Sequence, residues 1–342
     1  MYRMTLNGRE IDDIHRLVGE ITEKYTTVEN AEFLRNAPVL AHELPRRVRS
    51  FLNDFRLTEP SGVAVISGLP IDQERIGSTP AHWRDREAVS SALLEEVFFF
   101  LCGTLLGDVF GWSTQQDGHL MHDVLPIKGD EDDQLGSGSK QLLWWHTEDA
   151  FHPFRGDYVG LLCLRNPDGV ETTVAMADKI PWNEVDVDHL FQPLFHIRPD
   201  ESHLPKNQAV RDVPPETQEL LDAAYARIIE MNTQAEKRPI LSGSARSPYM
   251  CLDPYFMDVD KLEEPARGAL RGLIDVIDRV LEPVVLEPGD CCFVDNYKAV
   301  HGRNPFTARY DGNDRWLKRI CVTRNLRNSR EARLSSSDRV IF

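Results

Sequence analysis

Apolar residues recur along this chain with two different periods, and the change from one to the other divides it. Ile11, Ile14, Leu17, Val18 and Ile21 repeat at helical spacing, and Leu44, Val48, Phe51, Leu52 and Phe55 repeat it again behind Pro45, which suits a first helical turn. Two amphipathic helices are therefore predicted ahead of a first strand, Gly62-Val63-Ala64-Val65-Ile66, which the turn Gly68-Leu69-Pro70 closes. A third helix carries Val89, Leu93, Val97, Leu101 and Leu105 on one stripe and stops at Gly107. Its Phe98-Phe99-Phe100 run widens the apolar face enough to be buried against a sheet.

From Gly111 the texture changes to short strand-like runs broken by polar turns. Trp112-Ser113-Thr114-Gln115-Gln116-Asp117-Gly118 reads as a turn-rich loop. Gly129 to Ser139 reads as a mobile acidic linker that either closes over a site or is an ordinary solvated loop. Strands are expected at Tyr158–Leu164, at Val170–Ala175 beyond the turn Asn166-Pro167-Asp168-Gly169, at Phe195–Arg198 and at Tyr249–Asp253. Leu220, Ala224, Ile228 and Met231 mark a helix inserted near residues 206–238, and Leu270, Ile274, Ile277 and Leu281 mark another near 260–282. Strands return at Val284–Leu286, Cys291–Asp295 and Arg315–Arg324. Many short strands with Gly/Pro turns, and helices confined to the start and to insertions, predict a mainly β fold with helical cover, its core a double-stranded β-helix or jelly roll. Without repeats or an interdomain linker, residues 1–342 are expected to form a single domain, with 1–60 as helical N-terminal cover and 111–330 as the jelly-roll core.

Composition narrows the partners. A chain of 342 residues with 41% hydrophobic content can bury a large core. Its formal charge of -16 repels the phosphates of nucleic acids and anionic membranes and attracts a small cationic substrate. Met1 to Glu20 carry no secretory pattern, and the longest apolar run, around Val97 to Leu101, falls far below the ~18 residues of a membrane span. Six cysteines without Cys-x-x-Cys spacing read as buried thiols of a cytoplasmic protein. Oligomeric state leaves no trace in the sequence.

The candidate chemistry centres on Trp144-Trp145-His146-Thr147-Glu148-Asp149-Ala150-Phe151. On an extended segment His146 and Glu148 point to the same side, and His301, in Val300-His301-Gly302-Arg303, offers a second imidazole from a distant strand. Two histidines and one carboxylate on one face of a metal, with the other positions open, is the ligand set of non-heme Fe(II) oxygenases. A His-x-Glu triplet also arises by chance about once in a chain of this size, so the surroundings must decide. Arg315 and Arg319 share one face of a strand roughly 13 Å apart, able to clamp two carboxylates around one metal or to lie at the surface paired with acids. His119 and His122 read as surface or loop histidines, His152 as a loop residue, and Asp149 as either an orienting group or a turn cap.

His146-Thr147-Glu148-Asp149-Ala150-Phe151, Asp157-Tyr158-Val159-Gly160-Leu161, Leu164-Arg165-Asn166-Pro167-Asp168-Gly169, Val300-His301-Gly302-Arg303 and Arg309 to Leu317 together resemble the clavaminate synthase-like Fe(II)/2-oxoglutarate-dependent oxygenases. Within that family the chain is most similar, from about Ala31 onward, to the β-hydroxylases of free arginine and of the cyclic guanidino amino acid enduracididine, used in antibiotic biosynthesis. The resemblance implies Fe(II) held by His146, Glu148 and His301, with 2-oxoglutarate and O2 as cosubstrates. It also implies Arg315 and Thr172 against the 2-oxoglutarate carboxylate. Arg319, Gln115 and Glu148 would meet the α-carboxylate and α-amino group of the substrate, and Asp200, Ser202 and Asp253 would form the wall for its side chain. Tyr255 stands where some arginine hydroxylases carry a second acid, a departure that favours the enduracididine type. Hydroxylation at C3 of a small basic amino acid is the implied reaction. A lysine hydroxylase or desaturase of the same family and a non-catalytic jelly-roll binding protein are the alternatives.

Overall fold

A strand whose residues are all apolar needs cover on both faces, and Val63-Ala64-Val65-Ile66 obtains it. Ala64 and Ile66 join a core lined by helices, whereas Val63 and Val65 join a second core shared with another sheet. The same alternation runs through the neighbouring strands. Cys291 and Phe293 face the helices while Cys292 and Val294 face the other sheet, and Leu162 and Leu164 oppose Leu161 and Cys163 in the same way. The computed structural model describes residues 1–204 and 213–342.

In chain order the strands are β1 (Tyr2–Thr5), β2 (Val63–Ser67), β3 (Asp108–Trp112), β4 (His122–Val124), β5 (Leu143–His146), β6 (Tyr158–Arg165), β7 (Glu171–Met176), β8 (Leu241–Ser244), β9 (Ser247–Met250), β10 (Glu282–Val285), β11 (Cys291–Asp295), β12 (Ala299–Arg303), β13 (Trp316–Thr323) and β14 (Val340–Ile341). The helices are α1 (Gly8–Lys24), α2 (Ala31–Leu40), α3 (Arg46–Thr58), the single turn α4 (Gln73–Ile76), α5 (Leu93–Leu106), the single turn α6 (Val187–Leu190), α7 (Pro215–Thr233) and α8 (Ala266–Val280). One sheet runs β1-β2-β11-β6-β13-β3-β14, with β4 also paired to β13; a second runs β10-β7-β12-β5; β8 and β9 form a separate hairpin. The fold is thus mixed α/β with several sheets.

Four layers result. Helices α1, α2, α3 and α5 cover the outer face of the large sheet, where Phe98, Phe99 and Phe100 are fully buried. The inner faces of the two large sheets meet through Val63, Leu161, Cys163, Val174, Met176 and Leu317 among others. On the far side of the smaller sheet, Ala175 and Val300 pack with α8 residues Leu270, Leu273 and Ile277. The cores explain the residue pattern, and capping explains some of the boundaries. Asn7 begins α1 as a capping box, its side chain accepting from Glu10 N at 3.0 Å while its own N–H donates to Glu10 at 2.9 Å.

Several elements differ from those the pattern predicts. A third N-terminal helix, α2, escapes detection because only Phe33 and Ala37 of its ten residues are buried and Pro38 lies inside it. The N-terminal cover also contains a strand, since β1 pairs in parallel with β2, Tyr2 opposite Ala64. Sheet strands extend beyond the 111–330 interval at β1, β2, β3 and β14. Helix α5 starts at Leu93 and leaves Val89 outside it and exposed. Phe195–Arg198 forms only an isolated bridge, Phe195 to Arg238, and β9 stops at Met250, short of Asp253. The inserted helix expected near 206–238 is α7; the part of that interval before residue 213 lies outside the described residues. All six cysteines are free and buried, and no helix among the described residues is long and apolar enough to cross a membrane.

Candidate active site

The smaller sheet brings the two histidines together. β12 runs antiparallel to β5 with His301 directly opposite His146, and the ring centroids lie 4.7 Å apart. After His146 the chain leaves the sheet: Thr147 N donates to Leu252 O at 2.9 Å. Glu148 is then gripped at both backbone groups by the fully buried Asn296, whose Oδ1 accepts from Glu148 N at 2.8 Å and whose Nδ2 donates to Glu148 O at 3.0 Å. This grip aims the carboxylate back at the histidines. Glu148 Oε2 lies 3.2 Å from His301 Nε2 and 3.7 Å from His146 Nε2.

That spacing fits a metal, because cis ligands ~2.1 Å from one ion are about 3 Å from each other. His146 Nδ1 donates to Trp144 O at 2.8 Å, which leaves the Nε2 lone pair facing Glu148. Burial lowers the basicity of His146, but Glu148 and Asp253 more than reverse this and push its pKa to about 9. Burial would raise Glu148, yet Arg319, His146 and His301 hold it well below the usual carboxylate range. The triad is a place that calls for positive charge.

Around it lies a cavity with an atom-free volume of about 870 Å³, open solvent at its mouth included. His146, Glu148, Thr172, Asp200, Ser202, Asp253, His301, Arg315 and Arg319 all line it; Gln115 does not, and sits behind the wall instead. Arg315 is buried, its closest hydrogen-bond partner Thr172 Oγ1 at 3.4 Å, and no carboxylate among the described residues pairs with it. Burial presses its pKa down to about 10. An unpaired buried guanidinium is costly unless an anion comes to it.

Arg319 is the opposite case. Its guanidinium donates to Glu148, to Gln115 Oε1 at 2.9 Å and to His122 Nδ1 at 2.7 Å. His122 Nε2 contacts His119 O at 2.9 Å, so Nε2 carries the proton and Nδ1 is free to accept from Arg319. The expectation of a surface or loop residue is therefore corrected for His122, which is buried and holds Arg319; strand β4 carries it inward opposite Arg319 on β13. His119 stays half-exposed against Glu29 at 2.8 Å. His152 is buried against Trp112, ring centroids 4.3 Å apart, and does not reach the triad.

Acids gather at another part of the wall. Asp253 is buried with its pKa raised to about 7 by burial and by Asp200, although His146 pulls the other way. Tyr255, half-exposed, stands at the same wall. The acidic segment expected to be mobile is tied down, because Arg303 donates to Gly138 O and, at 3.0 Å, to Gln141 O, while Gln134, Leu135 and Gly136 close one side of the cavity. Sequence reasoning missed Asn296, His122, His203 and Arg303. Of these only Asn296 and Arg303 carried a signal, their nearness to His301 in the chain.

A family model described as "Taurine catabolism dioxygenase TauD, TfdA family" matches residues 203–321. The L-ornithine/L-arginine 3-hydroxylase of Catenulispora acidiphila is 50% identical over the full length of both chains. The chain belongs to the TauD/clavaminate synthase-like Fe(II)/2-oxoglutarate oxygenases. The oxygenase is also 43% identical, over all of both chains, to the enduracididine beta-hydroxylase of Streptomyces hygroscopicus. The crystal structure of the non-heme iron oxygenase OrfP with Fe, succinate and (3S)-hydroxy-L-Arg superposes with a TM-score of 0.93 at 46% identity, covering all of both chains.

The closeness of β5 and β12 in the oxygenase yields a test. A Cβ at Gly302 would lie 2.5 Å from Leu143 O and 2.9 Å from Trp145 N. Gly302→Ala must therefore push the strand bearing His146 away from the strand bearing His301. Overpacking of this kind costs about 1–3 kcal/mol. The expected outcome is a loss of Fe(II)-dependent turnover larger than the loss of thermal stability, read by activity at saturating Fe(II) beside a melting curve.

Proposed function

We propose that this oxygenase hydroxylates C3 of a free guanidino amino acid, L-arginine or its cyclised relative enduracididine, and that its core is a jelly roll forming one domain. The facing sheets, with inner side chains packed in one shared core, support the jelly-roll reading. The observation that carries the function is that one cavity gathers two cations, Arg319 on β13 and Arg315 just before it, two acids, Asp200 and Asp253, and the His146–Glu148–His301 triad.

In this reading His146, Glu148 and His301 hold the iron. The iron, with 2-oxoglutarate and O2, supplies the oxidant that replaces a C–H hydrogen by hydroxyl, the cosubstrate leaving as succinate and CO2. Arg315 binds the far carboxylate of 2-oxoglutarate, with Thr172 beside it. Arg319 receives the substrate's α-carboxylate, Gln115 holds Arg319 from behind the wall, and Glu148 faces the same end. Asp200, Ser202 and Asp253 take the guanidinium. A planar guanidinium can donate to both acids at once, whereas an ammonium is a compact charge. The ends of the substrate being fixed, the carbon nearest the triad is decided by position alone. Tyr255, an aromatic face in place of another acid, supports acceptance of the cyclic guanidine.

The deciding experiment is a panel of free amino acids with Fe(II) and 2-oxoglutarate, scored by a +16 Da product and NMR location of the hydroxyl. L-Arginine or enduracididine is expected to lead with the hydroxyl on C3, and a lead for lysine or a neutral amino acid would overturn the role given to Asp253 and Asp200. Arg315→Ala is expected to weaken 2-oxoglutarate binding roughly 10- to 150-fold, the worth of a bidentate charge-assisted contact, with a much smaller effect on the amino acid. The pH profile adds a further check. Asp253 must be ionised to pair with a cation, and its pKa lies at about 7, so kcat/KM for L-arginine should fall as pH drops through that value. In Asp253→Asn the level should be lower and this acid limb absent.

A further inference from the structure

Behind the acid wall lies a buried cluster that the reading above leaves unused. His203 is 0% exposed. Its Nδ1 lies 2.7 Å from Thr114 Oγ1 and its Nε2 3.0 Å from Asp149 Oδ1. The other oxygen of Asp149 accepts from Trp112 Nε1 at 2.7 Å. The rings of Trp112 and Phe151 pack edge-on against the imidazole at 5.6 and 5.0 Å. Three stretches of chain thus meet at one side chain: the end of β3, the turn that follows Glu148, and the short 3-10 turn Glu201–His203.

The opposite side of that turn faces the cavity. Asp200 caps it by accepting from Ser202 N at 2.8 Å and also accepts from the Ser202 hydroxyl. Ser202 Oγ in turn accepts from Gln115 Nε2 at 2.5 Å, and Gln115 accepts from Arg319. Asp200 and Ser202 line the cavity and His203 does not. His203 stands behind the two wall groups, its Nε2 3.9 Å from Asp200 Oδ2.

We propose that His203 is a positioning residue, fixing Asp200 and Ser202 against the substrate by locking the Glu201–His203 turn to Asp149 and Thr114. This rests on the assignment of Asp200 and Ser202 to the substrate wall. Histidine suits the task because a flat ring presents two polar atoms on different edges, one for each partner, while its faces fill an aromatic pocket. Asp149 follows Glu148 directly and has a φ of +50°, so the reversal that aims Glu148 at the histidines also presents Asp149 to His203. The substrate wall and the turn bearing Glu148 are thereby joined into one body.

Ligand atoms of Asp149, Asp200 and His203 also lie within 4.8 Å of one another, the spacing of a second metal site. The hydrogen bonds argue against it. Both oxygens of Asp149 and both nitrogens of His203 are already engaged with each other, Trp112 and Thr114, so the cluster is satisfied without a cation.

The test uses the full chain loaded with Fe(II) and 2-oxoglutarate, comparing wild type with His203→Phe, His203→Gln and Thr114→Val. Four quantities are read: KM for L-arginine, KM for 2-oxoglutarate, 2-oxoglutarate consumed per hydroxylated product, and hydrogen exchange of the peptide spanning Pro199 to Leu204. His203→Phe is expected to raise KM for L-arginine about tenfold, the worth of a lost buried polar contact, and to raise the consumption ratio, with KM for 2-oxoglutarate moving less than about twofold. Exchange in Ser202–Leu204 should quicken. His203→Gln, still able to donate to Asp149, should restore most of the coupling, and Thr114→Val should fall between. Unchanged exchange in this segment, equal losses for both substrates, or a second metal equivalent per chain that disappears in His203→Phe would each overturn the proposal. Should His203→Phe fail to fold, Thr114→Val and His203→Gln decide it alone. A wild type inactive on L-arginine would refute the substrate reading, and the exchange data would still decide the anchor.

Discussion

A carboxylate buried to 5% exposure between two sheets must be compensated on every side, and the active site is arranged around that need at Glu148. Two imidazoles and one guanidinium converge on its oxygens. Each of those partners is itself held: His146 by Trp144 O, and Arg319 by Gln115 and His122. Asn296 fixes the backbone from which the carboxylate springs. Removing any of these leaves Glu148 its charge and its burial but not its direction. For that reason so many polar groups, costly to bury singly, persist together here.

The same strand shows how a buried charge that belongs to the scaffold differs from one that belongs to a ligand. Lys318 on β13 is as buried as Arg315, but Glu96 at 2.9 Å and Asp123 at 2.6 Å neutralise it from the helical side, and Trp316 Nε1 donates to the same Asp123 at 2.7 Å. Arg315, three residues earlier, has no acid among the described residues. Paired, the charge ties α5 and β4 to the sheet; without an acid among the described residues, Arg315 is the one that the proposed reading gives to 2-oxoglutarate. Sequence alone offers Arg315, Lys318 and Arg319 as three similar cations. Only the partners separate structural from functional.

What the pattern of residues made legible follows from this. Strands buried on both faces announce themselves as apolar runs, so β2, β6, β11 and β13 were predictable to within a residue or two at each end. The convergence of His146, Glu148 and His301 was legible because their spacing and residue types are those of a metal-ligand set. Helix α2 and strand β1 were not, the first because its buried stripe is two residues wide, the second because four residues hold no period and depend on pairing with β2. The inward facing of His122, His203 and Asn296 was illegible for a different reason, even where nearness to His301 drew notice to Asn296. A polar residue in a short turn or a three-residue strand gives no sign of which way it faces, and tertiary contacts alone turn these three inward.

Charge also limits what the cavity can select. With the proposed ligands, an Fe(II) ion and a dianionic cosubstrate cancel, Arg315 and Arg319 offset Glu148 and one of the wall acids, and a single negative charge is left for the substrate to meet. Any amino acid with a net charge of +1 satisfies that count, so arginine, ornithine and lysine are equal by charge. Discrimination has to come from direction and from desolvation. Two carboxylates on one wall reward a donor that reaches both in a plane, and the half-exposed ring of Tyr255 rewards a cation with a flat, weakly hydrated face. A guanidinium satisfies both conditions with the same atoms, whereas an ammonium can bridge two acids, as Lys318 does, but offers no flat face to the ring. Under the proposed reading, substrates of equal charge are separated by how rigidly Asp200 and Asp253 are held in register, and a wall that wandered by even an ångström would read charge alone.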